Sequence, residues 1–108
     1  SYRKDTALKI FLSQPMNGLS DDEIIRVREI VKKMLTENDE LIDSFIEGAP
    51  AKATPLWYLG ESIKLLGSAD VVVFAPGWEN ARGCRIERRC AEEYGIPMLN
   101  LGNITIEE

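Results

Sequence analysis

Histidine is missing from all 108 residues. That removes the side chain most often used as a general base near neutral pH, and the commonest nitrogen ligand for a metal. Cysteine is scarce, with Cys84 and Cys90 the only two. Two thiols without histidine do not make a zinc site. They also leave a cysteine nucleophile without its usual base. Six positions apart on one predicted helix, they point about 120° away from each other and cannot form a disulfide there. Free thiols fit a reducing compartment, so the expected setting is cytoplasmic. No apolar run approaches the roughly 20 residues that a membrane-spanning helix needs, and no signal peptide is recognised, so no membrane is expected as a partner. Positive charge is in deficit: 13 Lys and Arg stand against 18 Asp and Glu, a formal net charge of -5. An acidic surface argues against nucleic acid as a partner. A small anionic ligand stays open, since one arginine and local dipoles can hold it. Internal repeats and low-complexity segments are absent, and neither a metal nor a cofactor is expected.

What is present reads as an ordinary soluble domain. Apolar residues make up 44% and charged residues 29%, a balance that excludes disorder. The length predicts a single domain over residues 1–108 with a modest core. Ser1 to Thr6 is polar and expected to fray. Ala7 to Leu12 predicts a first strand, followed by the loop Ser13 to Gly18. Ser20 and Glu23 have capping-box spacing, so a helix starts at about Asp21 and runs to about Asn38. Its apolar stripe is Ile24, Val27, Val31, Met34 and Leu35, with Arg26, Arg28, Lys32 and Lys33 facing water. Leu41 to Ile46 predicts a second strand. Thr54 and Pro55 open a second helix, whose apolar face is Leu56, Leu59, Ile63 and Leu66, and Gly67 ends it. Ile96 to Leu101 predicts the last strand, and the tail from Gly102 is expected to frame a partner subunit.

The chain is organised around the stretch from Asp70 to Glu87. Val71 to Ala75 is a continuous apolar, β-branched run, the pattern of a strand buried on both faces. Pro76 and Gly77 stop it, and Trp78, Glu79, Asn80, Ala81 and Arg82 make a loop. Gly83 opens a third helix with Glu87 one turn in. The core face expected for that helix is Ile86, Cys90, Ala91 and Tyr94, with Gly95 as its stop. Strands and helices therefore alternate as β-α-β-α-β-α-β. Such alternation predicts a small, three-layer α/β fold with a flavodoxin-like open parallel sheet in strand order 2-1-3-4. The switch point then falls between the first and third strands, where the loops Ser13–Gly18 and Gly77–Gly83 meet, and ligands bind at such points.

Backbone amides at the start of the Gly83 helix favour negative charge in that crevice. Glu87 lies above Gly83 on the same helix face, where a dipole would keep its carboxylate ionised. From spacing alone the rival reading leads: charge-rich helices are usually solvated faces. Trp78 has two readings, a stacking platform or a hydrophobic lid. Arg82 can hold a phosphate or carboxylate, or pair with Glu79 or Glu87. Cys84, near a helix N-terminus with Arg82 and Arg85 close by, is a candidate for a lowered pKa. Asp70 reads as a capping or pairing residue, and Trp57 and Tyr58 as core or subunit contact.

The strand ADVVVF, a loop, and then Gly83-Cys84-Arg85-Ile86-Glu87 together resemble the nucleoside 2-deoxyribosyltransferase family, with its G-x-x-x-E element after the third strand. Ser13-Gln14-Pro15-Met16 is similar to that family's loop after the first strand. The likeness covers about Leu8 to Leu101 and looks closest to a small phage and bacterial branch. It implies that Glu87 attacks the anomeric carbon of a deoxyribose. It also implies a nucleoside or nucleotide held by Ser13, Gln14, Pro15, Met16, Gly77, Trp78, Glu79, Asn80, Arg82 and Gly83, and a homo-oligomer, most simply a dimer, whose neighbouring subunit completes the site. Ser62 stands at about the place of an aspartate in the family's enzymes, so the likeness implies the nucleophile without the usual acid. Three classes stay open: cleavage or transfer of an N-glycosidic bond, non-catalytic binding of a nucleotide-derived ligand, and an oligomeric interaction module. Glu87→Ala is expected to abolish base release with the fold intact, on the view that Glu87 faces ligand and not the core.

Overall fold

The computed structural model describes residues 7–44 and 46–102. The expectations for Ser1–Thr6, for Phe45 and for the tail beyond Gly102 lie outside these residues. Four strands, β1 (Lys9–Ser13), β2 (Glu40–Leu41), β3 (Val71–Phe74) and β4 (Met98–Asn100), alternate with three helices, α1 (Asp21–Met34), α2 (Pro55–Leu66) and α3 (Arg82–Tyr94). Every strand pair is parallel, and the sheet order is β2-β1-β3-β4. This is the predicted open α/β sheet, with β1 and β3 at its centre.

Period-2 alternation along the strands divides the core in two. Phe11, Val72 and Phe74 pack with Leu66 of α2 and Ala91 of α3. Ile10, Leu12 and Val73 pack with Val31 of α1. One sheet face therefore carries two helices and the other only one. Among the described residues, the α1 side of the sheet has an apolar groove of about 240 Å³, lined by Leu8, Met34, Val71, Val73, Leu99 and Leu101 among others.

Capping fixes where two helices start. Ser20 Oγ accepts from the Glu23 amide while the Glu23 carboxylate accepts from the Ser20 amide, a complete capping box. Thr54 Oγ1 accepts from the Trp57 amide, and Pro55 occupies the first turn of α2.

The ends differ more from expectation. α1 stops at Met34 rather than Asn38, because Asp39 competes for the chain: its carboxylate accepts from the Thr36 and Leu8 amides, each at 3.1 Å. β2 covers Glu40–Leu41 and not Leu41–Ile46. After Ile42 the chain leaves the sheet, and Arg28 takes its polar groups, donating to Ser44 Oγ and to the Ile42 carbonyl. Arg28 is thus half-buried rather than a solvated cation. β1 starts two residues later than expected and includes Ser13, and β4 is shorter at both ends. Asp70, expected to cap or pair locally, instead reaches across to the start of β1, its carboxylate accepting from the Lys9 amide 61 residues away at 2.8 Å.

The apolar stripes also need correction. Leu56 is 74% exposed and Met34 55%, so neither belongs to the core. In α3 the sheet-facing residues are Cys84, Glu87 and Ala91, whereas Ile86 and Tyr94 are exposed. A stripe chosen by hydrophobicity leaves the glutamate out. The helix is instead rotated so that positions i, i+3 and i+7 from Cys84 meet the sheet.

Candidate active site

Ser13 ends β1, opposite Phe74 in the register of the central strand pair, and the Ala75 amide donates to its carbonyl at 2.9 Å. Alternation points its side chain, like that of Phe11, toward α2 and α3. Glu87 comes from α3, one turn beyond Cys84, and Ser62 from the middle of α2. The three meet. Ser13 Oγ donates to Glu87 Oε1 at 2.6 Å, and Ser62 Oγ donates to Glu87 Oε2 at 2.7 Å. Each carboxyl oxygen therefore has its own hydroxyl donor, and the plane of the carboxyl group is fixed by two different secondary-structure elements.

Glu87 is only 7% exposed. The expectation of a carboxylate on an open ligand face is corrected: it is a core position with a polar side chain. Burial pushes its pKa above the ordinary glutamate value, against the hydroxyls of Ser13 and Ser62, which pull it down. The Cys84 thiol is displaced upward as well, first by burial and then by the Glu87 charge, while the Ser13 hydroxyl and Arg85 oppose the shift. The lowered thiol pKa for which Cys84 was a candidate is therefore corrected to a raised one. Desolvation at a buried site outweighs the Ser13 hydroxyl and Arg85, and Arg85 is turned outward, donating to the Glu79 carbonyl at 3.0 Å.

The remaining expected residues fall into separate groups. Gln14 is buried beside Ser13, and its amide nitrogen donates to the Ile24 carbonyl at 3.2 Å. Pro15 is half-buried and meets the other loop at Gly77: a Cβ on Gly77 would lie 3.5 Å from Pro15 Cγ. Gly77 has φ +88°, a left-handed conformation that disfavours any side chain. Met16 is exposed. Trp78, Glu79 and Asn80 form a single 3-10 turn where a plain loop was expected. Gly77, Trp78 and Glu79 border a polar hollow of about 200 Å³ with Pro76, Asn100 and Gly102, and Glu87 is not in its wall. Trp78 is neither a free platform nor a simple lid. Its ring packs tilted at 54° against Phe74, with centroids 5.6 Å apart, and the Arg88 guanidinium lies 4.3 Å from its centroid. Arg88 in turn donates to Asn100 Oδ1 at 3.0 Å. Arg82 is exposed at the start of α3, and among the described residues it forms no ion pair with Glu79 or Glu87. Gly83 lies one turn before Glu87, and a Cβ there would meet only Leu59 Cδ1, at 3.9 Å. Trp57 and Tyr58 pack edge to face at 5.1 Å on α2, with Tyr58 exposed.

Ser62 is the site residue that motif reasoning set aside, although its position in α2 before the central strand carried the signal. Among the described residues no cluster of three metal-ligating side chains occurs. No helix of the described residues is long and apolar enough to cross a membrane. Chemically, the centre offers one carboxyl group, two hydroxyls and a buried thiol, a set suited to nucleophilic attack or proton exchange by Glu87.

A sequence profile described as "Domain of unknown function (DUF4406)" matches residues 8–100. The chain belongs to this family. No curated protein and no solved structure matches it. The profile spans β1 to β4, so the whole sheet and both Glu87-centred hydrogen bonds of this DUF4406 domain lie inside the matched region.

Proposed function

We propose that this DUF4406 domain cleaves or exchanges the N-glycosidic bond of a 2-deoxynucleoside or its nucleotide, with Glu87 as the nucleophile. The observation that carries the reading is the clamped carboxyl group: Oε1 and Oε2 of Glu87 each accept from a serine hydroxyl at the carboxyl edge of the two central strands. A carboxylate held in one plane, out of bulk water, has lost the rotational freedom that otherwise opposes attack on carbon. Attack at the anomeric carbon passes through an oxocarbenium-like transition state, in which a buried negative charge stabilises developing positive charge. The position of the site supports the same reading, since open parallel sheets bind ligands where the strand order reverses. The likeness of the G-x-x-x-E element and of the Ser13–Met16 loop to nucleoside 2-deoxyribosyltransferases supplies the substrate class.

A second reading is non-catalytic binding of a nucleotide-derived ligand by the same crevice. Ser62 favours it, because a hydroxyl occupies the place where a carboxylic acid would protonate the departing base. Turnover is accordingly expected to be slow. The reading includes a cytoplasmic setting, supported by two free cysteines, and a homodimer. The apolar groove on the α1 side supports the dimer, since a second copy would cover apolar surface that the described residues leave open.

The test is chromatographic detection of free base from a panel of 2-deoxynucleosides and their 5′-monophosphates, with wild type and Glu87→Gln side by side. Release by wild type that the variant lacks is the expected result. Equal release by both removes Glu87 from the chemistry. Ligand-induced thermal stabilisation without release moves the protein to the binding reading.

A further inference from the structure

We propose that the two serines divide the work on Glu87: Ser13 anchors the oxygen that does not react, Oε1, and Ser62 is the exchangeable partner of the attacking oxygen, Oε2. The inference rests on the reading that Glu87 attacks an anomeric carbon, and it assigns the two oxygens their roles.

The two hydrogen bonds are similar in length but not in setting. The Ser13 bond, 2.6 Å, is fully buried, whereas the Ser62 bond, 2.7 Å, is partly exposed. Ser13 is 1% exposed, and its backbone is locked between its register partner Phe74 and the Ala75 amide. It has little room to move, and its hydroxyl also acts on the buried Cys84 thiol. Ser62 is half-buried in α2. A helical serine released from a partner can rotate and bond back to the carbonyl one turn earlier, so giving up Oε2 costs Ser62 little.

Chemistry asks for this asymmetry. A carboxylate attacks carbon with one oxygen, and the other becomes the carbonyl of the ester. A hydrogen bond on the attacking oxygen holds back its electron pair and must yield, while one on the spectator oxygen preserves orientation throughout. In the first step a lone pair of Oε2 forms the bond to the anomeric carbon. The carbon–nitrogen bond breaks, and its electron pair leaves with the base, which takes a proton from water. The hydroxide so formed then attacks the anomeric carbon, and the bonding pair returns to Oε2 as the free sugar departs. Ser13 stays on Oε1 through both steps. Ser62 leaves Oε2 in the first and returns in the second. Both are positioning residues.

The experiment compares wild type, Ser13→Ala, Ser13→Thr and Ser62→Ala, with Glu87→Gln to assign the Glu87 carboxyl resonance. Two readouts are taken: the titration of Glu87 by carbon-13 NMR on glutamate-labelled protein, and base release from 2-deoxynucleosides. Both alanine variants should titrate at higher pH than wild type, with Ser13→Ala moving further. Ser13→Ala should lower kcat by about tenfold to a hundredfold, the loss expected for one hydrogen bond to a charged group. Ser13→Thr restores the hydroxyl and should recover most of it. Ser62→Ala should lower kcat as well, but several-fold less than Ser13→Ala does, since its bond must break in any case. Base release by wild type with equal losses in the two alanine variants overturns the division of roles and leaves the glutamate chemistry standing. So does a Ser13→Ala protein in which Glu87 titrates as in wild type. No release by wild type from any nucleoside overturns both proposals together.

Discussion

Replacing Glu87 by alanine and by glutamine should separate its structural share from its chemical one. Alanine leaves two hydroxyls without their acceptor. Ser62, half-exposed, can turn to water, but Ser13, 1% exposed, cannot. A buried polar group stripped of its partner costs about 1–3 kcal/mol, and the truncated side chain also leaves unfilled space between α3 and β1. Relative to glutamine, which removes the same buried charge, the sum is roughly 2–4 kcal/mol, which for a domain of this size lowers Tm by about 10–25 °C. Glutamine has nearly the same shape. Its Oε1 can accept from Ser13 while its amide donates to Ser62, since a serine hydroxyl works in either sense. It also removes the only buried carboxyl group among the described residues, and with it the cost of desolvating a charge.

The pH dependence follows in sign. Burial holds the Glu87 pKa above its ordinary value in the folded chain, so the folded state keeps a proton that the unfolded state has already lost. This contribution is fully present below about 4.3, the ordinary glutamate value, and is lost as pH rises through the folded value. The Glu87→Gln protein lacks that loss, so its advantage over wild type should grow as pH rises from about 4 toward neutrality. Thermal and urea denaturation across that range is the assay. An alanine variant as stable as the glutamine variant at neutral pH, or a glutamine advantage that grows toward acid, would refute the reasoning.

Two further outcomes test other parts of the structure. Cys84, buried and with its thiol pKa raised, should be labelled by thiol reagents at neutral pH more slowly than the half-buried Cys90; site-resolved mass spectrometry showing equal rates would contradict the burial described. Asp39→Ala removes the acceptor of the Thr36 and Leu8 amides, and should lower stability by about 1–2 kcal/mol in urea titrations and let helix α1 lengthen, visible as a gain in helical circular dichroism.

The architecture was legible because helix and strand periods alternate cleanly and because capping signals are local. Ser20 with Glu23, and Thr54 with Pro55, announce helix starts from within one turn of chain. The ends were less legible because distant groups decide them. Asp39 stops α1 by reaching Leu8, 31 residues away, and Arg28 draws the chain out of the sheet after Ile42. At the candidate site, Glu87 and Ser13 stood out through their places on the third helix and in the loop expected after the first strand. The depth of Glu87 did not, because every hydrophobicity pattern assigns a glutamate to the wet side of a helix. Ser62 looks like any small helical residue until α2 brings it to within 2.7 Å of the carboxylate.

The separations within the clamp bear on how the protein comes into being. Ser13 and Glu87 lie 74 residues apart, Ser62 and Glu87 25. β1 also has to wait for β3, as the Asp70 contact to Lys9 spans 61 residues. At a synthesis rate of about 5–20 residues per second, the apolar β1 segment is without its central neighbour for roughly 3–12 s after it is made. Parallel pairing between such distant segments is also slow to form once both are available. Until it forms, Glu87 is an ordinary hydrated carboxylate on an unpaired segment, with no serine on either oxygen. Any reactivity that depends on the clamp therefore switches on with the completed sheet, and no incomplete chain can carry it.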